Sequence, residues 1–316
     1  MKKKQDEMLE TSEELDSQIA AEKKAAEENP MGFAIIVREF KQDKVARFSL
    51  FGVLGFTLFV FIASMFINQD ALNTVDILAK YDPPSMASFW DWFGRDAGGR
   101  SVMGLLIVGS RNSLMVGISI TILTTMVGLL VGLCMGYYGG RVDSFGMRIV
   151  DFIGVLPTMM IIIAFVTMVP RYNVVTFVFI MSVFYWVGTA RLVRSKALSE
   201  SRRDYVNASK IMGTSSLRIM FGSILPNISS IIIVDSILAL AGNVGIETSL
   251  SYLGFGLPAS TPSLGTLISY AAKPEIIQYK MYVWLPAALV ILFLMLGINY
   301  AGRALKRASD AKTRLG

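Results

Sequence analysis

The chain has 316 residues, 53% hydrophobic and 17% charged, with a mean hydropathy of +0.54 and a formal charge of +6. A soluble domain carries about 25% charged residues, so this excess of apolar surface requires lipid, and its arrival in long blocks makes the membrane span the unit to count. The absence of histidine excludes His-based acid–base catalysis, Ser-His-Asp triads and His-ligated metal sites, and a single cysteine, Cys134, excludes an intrachain disulfide.

Met1 to Pro30 holds 5 lysines and 9 acidic residues with no apolar core, so it is not a cleavable signal peptide. Residues 1–30 read as a charged cytoplasmic extension, either a solvated helix or a disordered tail, with composition favouring the tail. Over 31–47, Phe33, Ile36, Val37 and Phe40 recur at helical spacing, with Arg38, Lys41, Asp43 and Lys44 on other faces. That pattern predicts an interfacial helix; a short linker with incidental apolar residues is the alternative.

Stretches free of Asp, Glu, Lys and Arg run over Phe48–Gln69, Asn112–Gly140, Phe152–Pro170, Tyr172–Ala190 and Met281–Gly302. Each crosses a hydrocarbon core of roughly 30 Å, which takes about 20 helical residues. A further block, Ile219–Ile246, is interrupted only by Asp235. The expectation is an all-α polytopic membrane protein of six transmembrane helices, the second near Ser113–Tyr137 and the fifth near Ile228–Leu250. The blocks lack the alternation of a membrane β-barrel. Residues 70–111 then form an extracytoplasmic loop, 112–304 the core, and 305–316 a cytoplasmic tail.

With the N-terminus inside, 23 of the 30 basic residues fall on inside segments and 6 outside, with Arg111 at a span edge. This bias places both termini in the cytoplasm. The basic residues are scattered over four inside segments, so the charge argues for topology and not for nucleic acid. No Gly-Lys dipeptide occurs, so a phosphate loop ending in Gly-Lys-Ser/Thr is absent and the driving energy must come from a partner or an ion gradient.

Two carboxylates lie at membrane depth. Asp235 stands seven residues into the fifth span, about 10 Å from its cytoplasmic end, and Glu247 lies near the outer end. Both are candidates for a translocation path or gate. The plainer role for Asp235 is to accept a hydrogen bond from a neighbouring helix or to face a watery path. Neither has a companion basic or histidine relay, which argues against an ion-coupled secondary transporter. An intramembrane enzyme would need a metal cluster or paired carboxylates, which are also lacking.

The inside loop 191–226 is too long for a simple connection and too apolar for a free tail. Ser201 is expected to cap a helix with Asp204 in its first turn, and Gly213 to stop it. Thr214 then caps a second short helix that ends before Pro226. Tyr205, Ala208 and Met212 share a face, with an aromatic anchor beside small residues that admit another protein surface. A helix lying on its own membrane domain is the alternative. Gly136, Tyr137, Tyr138, Gly139 and Gly140 read as a tight inside turn, Glu247–Gly265 as an irregular gate segment, and Trp90, Trp92 and Phe93 as a receptor contact or an aromatic belt.

RDYVNASKIMGTSSLRIMFGSILPN, Arg203 to Asn227, resembles the signature loop of permease subunits in bacterial ABC importers. Asn207, Ala208 and Ser209 stand at the Glu-Ala-Ala positions, Gly213 at the glycine, and Leu225 and Pro226 at the closing Leu-Pro. FGRDAGGRS, RNSLMVG, GYYGGRVDSFGMRIVD and ETSLSYLGFGLPASTPSLG are similar, in order, to motifs of the peptide and nickel branch, over about Phe93 to Ala308. The resemblance is closest to oligopeptide members, with dipeptide or nickel transport as the alternatives.

What the resemblance implies is one half of a permease pair in the bacterial plasma membrane. The loop would dock in a groove of one of two separate ATP-binding subunits, which hold the ATP and Mg, and an extracytoplasmic substrate-binding protein would deliver peptide. Tyr205, Ala208 and Gly213 are the expected docking residues. The chain itself would bind no cofactor and catalyse nothing. Asn207 replaces the family's glutamate, Ser209 its second alanine, and Ser223 stands where this branch often has histidine, which puts any ionic contact through that glutamate in doubt.

Overall fold

The computed structural model describes residues 43–315 except 70, 71, 73, 171 and 259, with side chains through Arg307. The expected N-terminal extension, all but the end of the interfacial helix, and Arg171 lie outside the described residues. Twelve α-helices and one π turn carry the described chain, and a single antiparallel bridge, Arg95 with Ser101, is its only β pairing among the described residues.

Helix α1 covers Lys44–Met65, capped by Asp43, whose carboxylate accepts the Ala46 amide at 2.9 Å. Helix α2 covers Val102–Tyr138. It begins ten residues before the expected boundary at 112, because the Ser101 hydroxyl accepts the Gly104 amide at 3.2 Å and caps it. Arg111 does not end it: its guanidinium folds onto Asn112 Oδ1 at 2.9 Å, so the charge is accommodated inside a continuous helix.

Helices α3 (Gly140–Val155) and α4 (Thr158–Met168) meet at a bend of 78°. The expected uninterrupted span 152–170 is therefore broken. Pro157 excludes its predecessor from helical geometry, and Leu156 is extended at φ −66°, ψ 140°. Helices α5 (Val174–Tyr185) and α6 (Val187–Glu200) bend by 43° at Trp186. Two short helices follow, α7 (Asp204–Ile211) and α8 (Ser216–Ile219), then a π turn over Met220–Ile224 and α9 over Leu225–Tyr252. Helices α10 (Leu264–Ser269) and α11 (Pro274–Tyr279) lead into α12, Met281–Leu315.

Among the described residues, four helical stretches are long and apolar enough to cross a membrane unbroken: Lys44–Met65, Val102–Tyr138, Ser216–Tyr252 and Met281–Arg307. Counting each bent pair as one span raises the number to six.

Helix α2 is the axis of the fold and contributes to all four buried clusters. Leu105, Leu106 and Leu114 pack with α9, α10 and α12; Val116 and Ile120 with α4, α5 and α9; Leu133 with α6 through α9; and Met135 with α3 and α6. Its closest partner is α6. Gly128, Gly132 and Gly136 recur every four residues along that seam, and a Cβ on Gly132 would lie 2.8 Å from the Ala190 carbonyl oxygen. In lipid, where water does not drive helices together, such small-residue stripes let backbones approach and gain dispersion contacts. Gly136 thus belongs to a helix seam and not to the turn expected around it. The turn is carried by Gly139 and Gly140 at φ +62° and +51°.

Candidate functional site

The segment between α6 and α9 is folded and docked. Val206 and Ile219 are fully buried with Leu133, Val193, Ala197, Ile224 and Ile228. Tyr205 is half-buried; its hydroxyl donates to Glu200 Oε2 at 2.8 Å and accepts from Asn227 Nδ2 at 3.0 Å, tying α7 to both flanking helices. Burial raises the Tyr205 phenol above its usual range, with the Glu200 carboxylate adding to the shift and Asn227 opposing it. Lys210 sits over the Tyr137 ring, 5.1 Å from its centroid, and the Tyr137 hydroxyl reaches Ser216 Oγ at 3.4 Å.

Several local expectations hold and several are corrected. Asp204 lies in the first turn of α7, and Gly213, at φ +78°, ends it. Ser201 does not cap α7. Its hydroxyl donates to the carbonyls of Leu198 and Gly136, and α7 starts from Arg203 without a side-chain cap. Thr214 does not cap α8, which starts from Ser215. Nor does Pro226 end a helix. The Leu225 amide bonds to the Met220 carbonyl five residues back, and the wider π turn absorbs the proline at the start of α9.

The outer surface of this segment carries an apolar patch among exposed Arg203, Asp204, Lys210 and Arg218. Asn207, Ala208 and Gly213 are exposed and Ser209 is half-buried, while Ile211 is 88% exposed, Met212 77% and Leu217 63%. Leu225 is half-buried and Pro226 exposed where α9 begins. Below this surface, Arg194 of α6 grips Asp143 of α3 in a two-pronged ion pair, one prong at 2.6 Å, and Arg191 pairs with Asp151 at 2.9 Å.

The two membrane carboxylates occupy different environments. Glu247 is fully buried and both its oxygens are used: Ser113 Oγ donates at 2.9 Å and Ser251 Oγ at 2.8 Å. Ser113 Oγ in turn accepts the Leu264 amide at 3.1 Å, so one carboxylate joins α2, α9 and α10. Glu247 to Tyr252 is the last part of α9, so the expected irregular segment starts only at Leu253. Asp235 is half-buried. Thr189 Oγ1 of α6 donates to its Oδ2 at 2.9 Å, and the side chain lines a cavity of about 230 Å³ with Lys196 and Lys306.

A third cluster was not singled out from the sequence. Asp96 is fully buried in the loop before α2; its Oδ2 accepts from Arg100 Nη2 at 2.6 Å and from the Tyr270 hydroxyl at 3.0 Å. Its Oδ1 accepts the Gly98 and Arg100 amides at 2.8 and 2.9 Å. Burial pushes the Tyr270 phenol up to about 12, and the Asp96 charge adds to it. The available signal was the Arg-Asp-Ala-Gly-Gly-Arg run, a buriable ion pair around a glycine turn. Phe89, Trp90 and Trp92 form a ring cluster beside it with centroids 5.0 to 5.5 Å apart, and all three rings are exposed.

These features define a polytopic helical membrane protein with a folded, docked segment between α6 and α9. Residues 128–315 match the family described as binding-protein-dependent transport system inner membrane component, and the chain belongs to that family. It is 44% identical over 277 residues to the oligopeptide transport system permease protein OppC of Lactococcus lactis subsp. cremoris, covering 88% of this chain and 94% of the relative. It is 32% identical to OppC of Bacillus subtilis over 275 residues, 87% of this chain and 88% of the relative. The dipeptide transport system permease protein DppC of Bacillus subtilis is 31% identical over 277 residues, 88% of this chain and 85% of the relative.

Proposed function

We propose that this chain is the permease subunit of an ATP-driven importer for oligopeptides and forms half of the translocation path with a second permease subunit. Six spans, with each bent pair crossing once and both termini cytoplasmic, fit the charge asymmetry along the chain. In this reading the 203–226 segment forms the coupling helices. Each of two ATP-binding subunits carries the ATP and Mg, and one of them receives this segment. Ala208 and Gly213 permit close approach, while Asn207 and Ser209 offer polar contacts in place of the family's Glu and second Ala. Tyr205 acts from within, holding α7 at a fixed angle, and Leu225 and Pro226 begin the helix that carries the motion outward.

The observation that supports this best is the pairing of a buried inner face with an outer one that exposes an apolar patch. Val206 and Ile219 are fully buried, whereas Ile211 and Met212, within a few residues of them, are exposed. A solvated loop has no use for that surface; a docking loop does. Closure of the ATP-binding subunits would move the permease pair as rigid bodies and open the path alternately to each side. An extracytoplasmic binding protein would deliver peptide to the outer face. Purification from the native membrane tests the assembly: two ATP-binding subunits and a second permease are expected with the chain. A self-sufficient homo-oligomer that imports with an ion gradient would overturn the reading.

A further inference from the structure

We infer that the cavity between α6, α9 and α12 is a subsite for the charged ends of a peptide, with Asp235 taking the ammonium and Lys196 and Lys306 the anionic side; this rests on the permease reading above. The cavity of about 230 Å³ is lined by Leu192, Leu238 and three charged side chains, Asp235, Lys196 and Lys306. None of the three belongs to an ion pair among the described residues. Ionisable groups at membrane depth pair with one another or serve a pathway, because an isolated charge there is costly. Of the three, Asp235 lies at membrane depth; Lys196 and the exposed Lys306 reach the same cavity from the cytoplasmic ends of α6 and α12, and none of them pairs with another among the described residues. Asp235 keeps one oxygen for a ligand, since its one side-chain hydrogen bond, from Thr189, uses Oδ2.

The chemistry follows from what such a substrate offers. Peptides of differing sequence share only their backbone, one ammonium and one carboxylate. A path that accepts many of them must read those groups and ignore side chains. A carboxylate that lines one cavity with two ammonium groups does that, and the apolar walls supplied by Leu192 and Leu238 raise the strength of each charge-assisted contact. The volume lies below the ~300–1,000 Å³ of sites that enclose a drug-sized ligand, so the cavity holds a terminus and not a whole chain. Glu247 cannot play this part, because it is fully buried and its oxygens are consumed by Ser113 and Ser251.

The test uses the complete importer in vesicles and compares uptake of trialanine with N-acetyl-trialanine and C-amidated trialanine. Because the same binding protein delivers every probe, its own preferences cancel when variants are compared. Asp235→Asn is expected to lower the preference for the free amine over the acetylated peptide by about tenfold, the scale of one charge-assisted hydrogen bond, and Asp235→Glu to restore most of it. Lys196→Gln with Lys306→Gln should lower the preference for the free carboxylate over the amide. Unaltered ratios in these variants, with wild-type uptake intact, overturn the subsite alone. A wild-type complex that imports none of the three peptides overturns the permease reading with it. The zwitterionic headgroup of phosphatidylethanolamine has the same chemistry; its loss from purified Asp235→Asn protein, with unaltered peptide ratios, would assign the cavity to lipid instead.

Discussion

Ser113 and Glu247 lie 134 residues apart in sequence, yet their side chains meet at 2.9 Å in the buried interior. The serine hydroxyl gives its proton to the carboxylate and takes one from the Leu264 amide. The contact therefore fixes where α10 starts relative to α2 and α9. Removing the carboxylate orphans two buried hydroxyls, each at about 1–3 kcal/mol. Glu247→Ala should cost about 3 kcal/mol and Glu247→Gln, which keeps an acceptor, under ~1.5 kcal/mol. Thermal unfolding of the purified chain in detergent checks both; equal midpoints would remove this contact from the framework.

The α2–α6 seam predicts a size limit. A Cβ on Gly132 would stand 2.7 Å from the Val193 Cβ and 2.8 Å from the Ala190 carbonyl oxygen. Both neighbours are rigid, so Gly132→Val should destabilise by about 1–3 kcal/mol through overpacking. Gly188→Ala, with nothing within 4 Å of the added carbon, serves as the tolerant control. A thermal shift confined to the first variant is the expected result.

For the 203–226 segment, Ala208→Trp and Met212→Asp alter exposed positions, and Gly213→Val forces a branched side chain to φ +78°. That conformation costs roughly 1–2 kcal/mol for a non-glycine residue. Peptide uptake and co-purification of the ATP-binding subunits should fall together, while the chain still reaches the membrane. Normal uptake in all three would take these residues out of the coupling role.

The Tyr270 phenol supplies a pH prediction. Its value rises from 10 to about 12 in the fold, so burial favours the neutral form. The stability it contributes is complete below pH 10 and is lost as pH climbs towards about 12. The difference amounts to ~3 kcal/mol. Ultraviolet titration should show one tyrosine fewer ionising late in Tyr270→Phe than in wild type, and the variant should lose less stability across that window. An unchanged late phase would disprove the assignment.

Much of the architecture was legible because it follows from transfer to lipid. Five charge-free stretches and the block around Asp235 each coincide with helices, since an unbroken apolar run admits few other structures at membrane depth. The breaks were less legible. Pro157 reshaped the third stretch, yet Pro226 and Pro286 lie within helical runs, and a proline's effect depends on whether neighbouring turns can widen to receive it. At Ser201 the capping expectation failed because a hydroxyl can serve several acceptors: this one donates to Leu198 in its own helix and to the Gly136 carbonyl on α2, 65 residues away in sequence. The partnership of Asp96 with Tyr270 was invisible because it is made by tertiary contact across 174 residues. At the carboxylates, spacing marked Asp235 and Glu247 as alike, and only burial separates a structural clasp from a group facing a cavity.

The π turn over Met220–Ile224 has a mechanical consequence. Because it bridges α8 and α9 without interruption, Ser216–Tyr252 is a single helical piece of 37 residues. Ser216 and Glu247 then lie about 45 Å apart on one rod at the helical rise. A push delivered at one end is not absorbed by a joint on the way. If the 203–226 segment couples as proposed, the stroke would arrive at the clasp between Ser113 and Glu247, and the stiffness of this helix would set how much of it survives the length of the span.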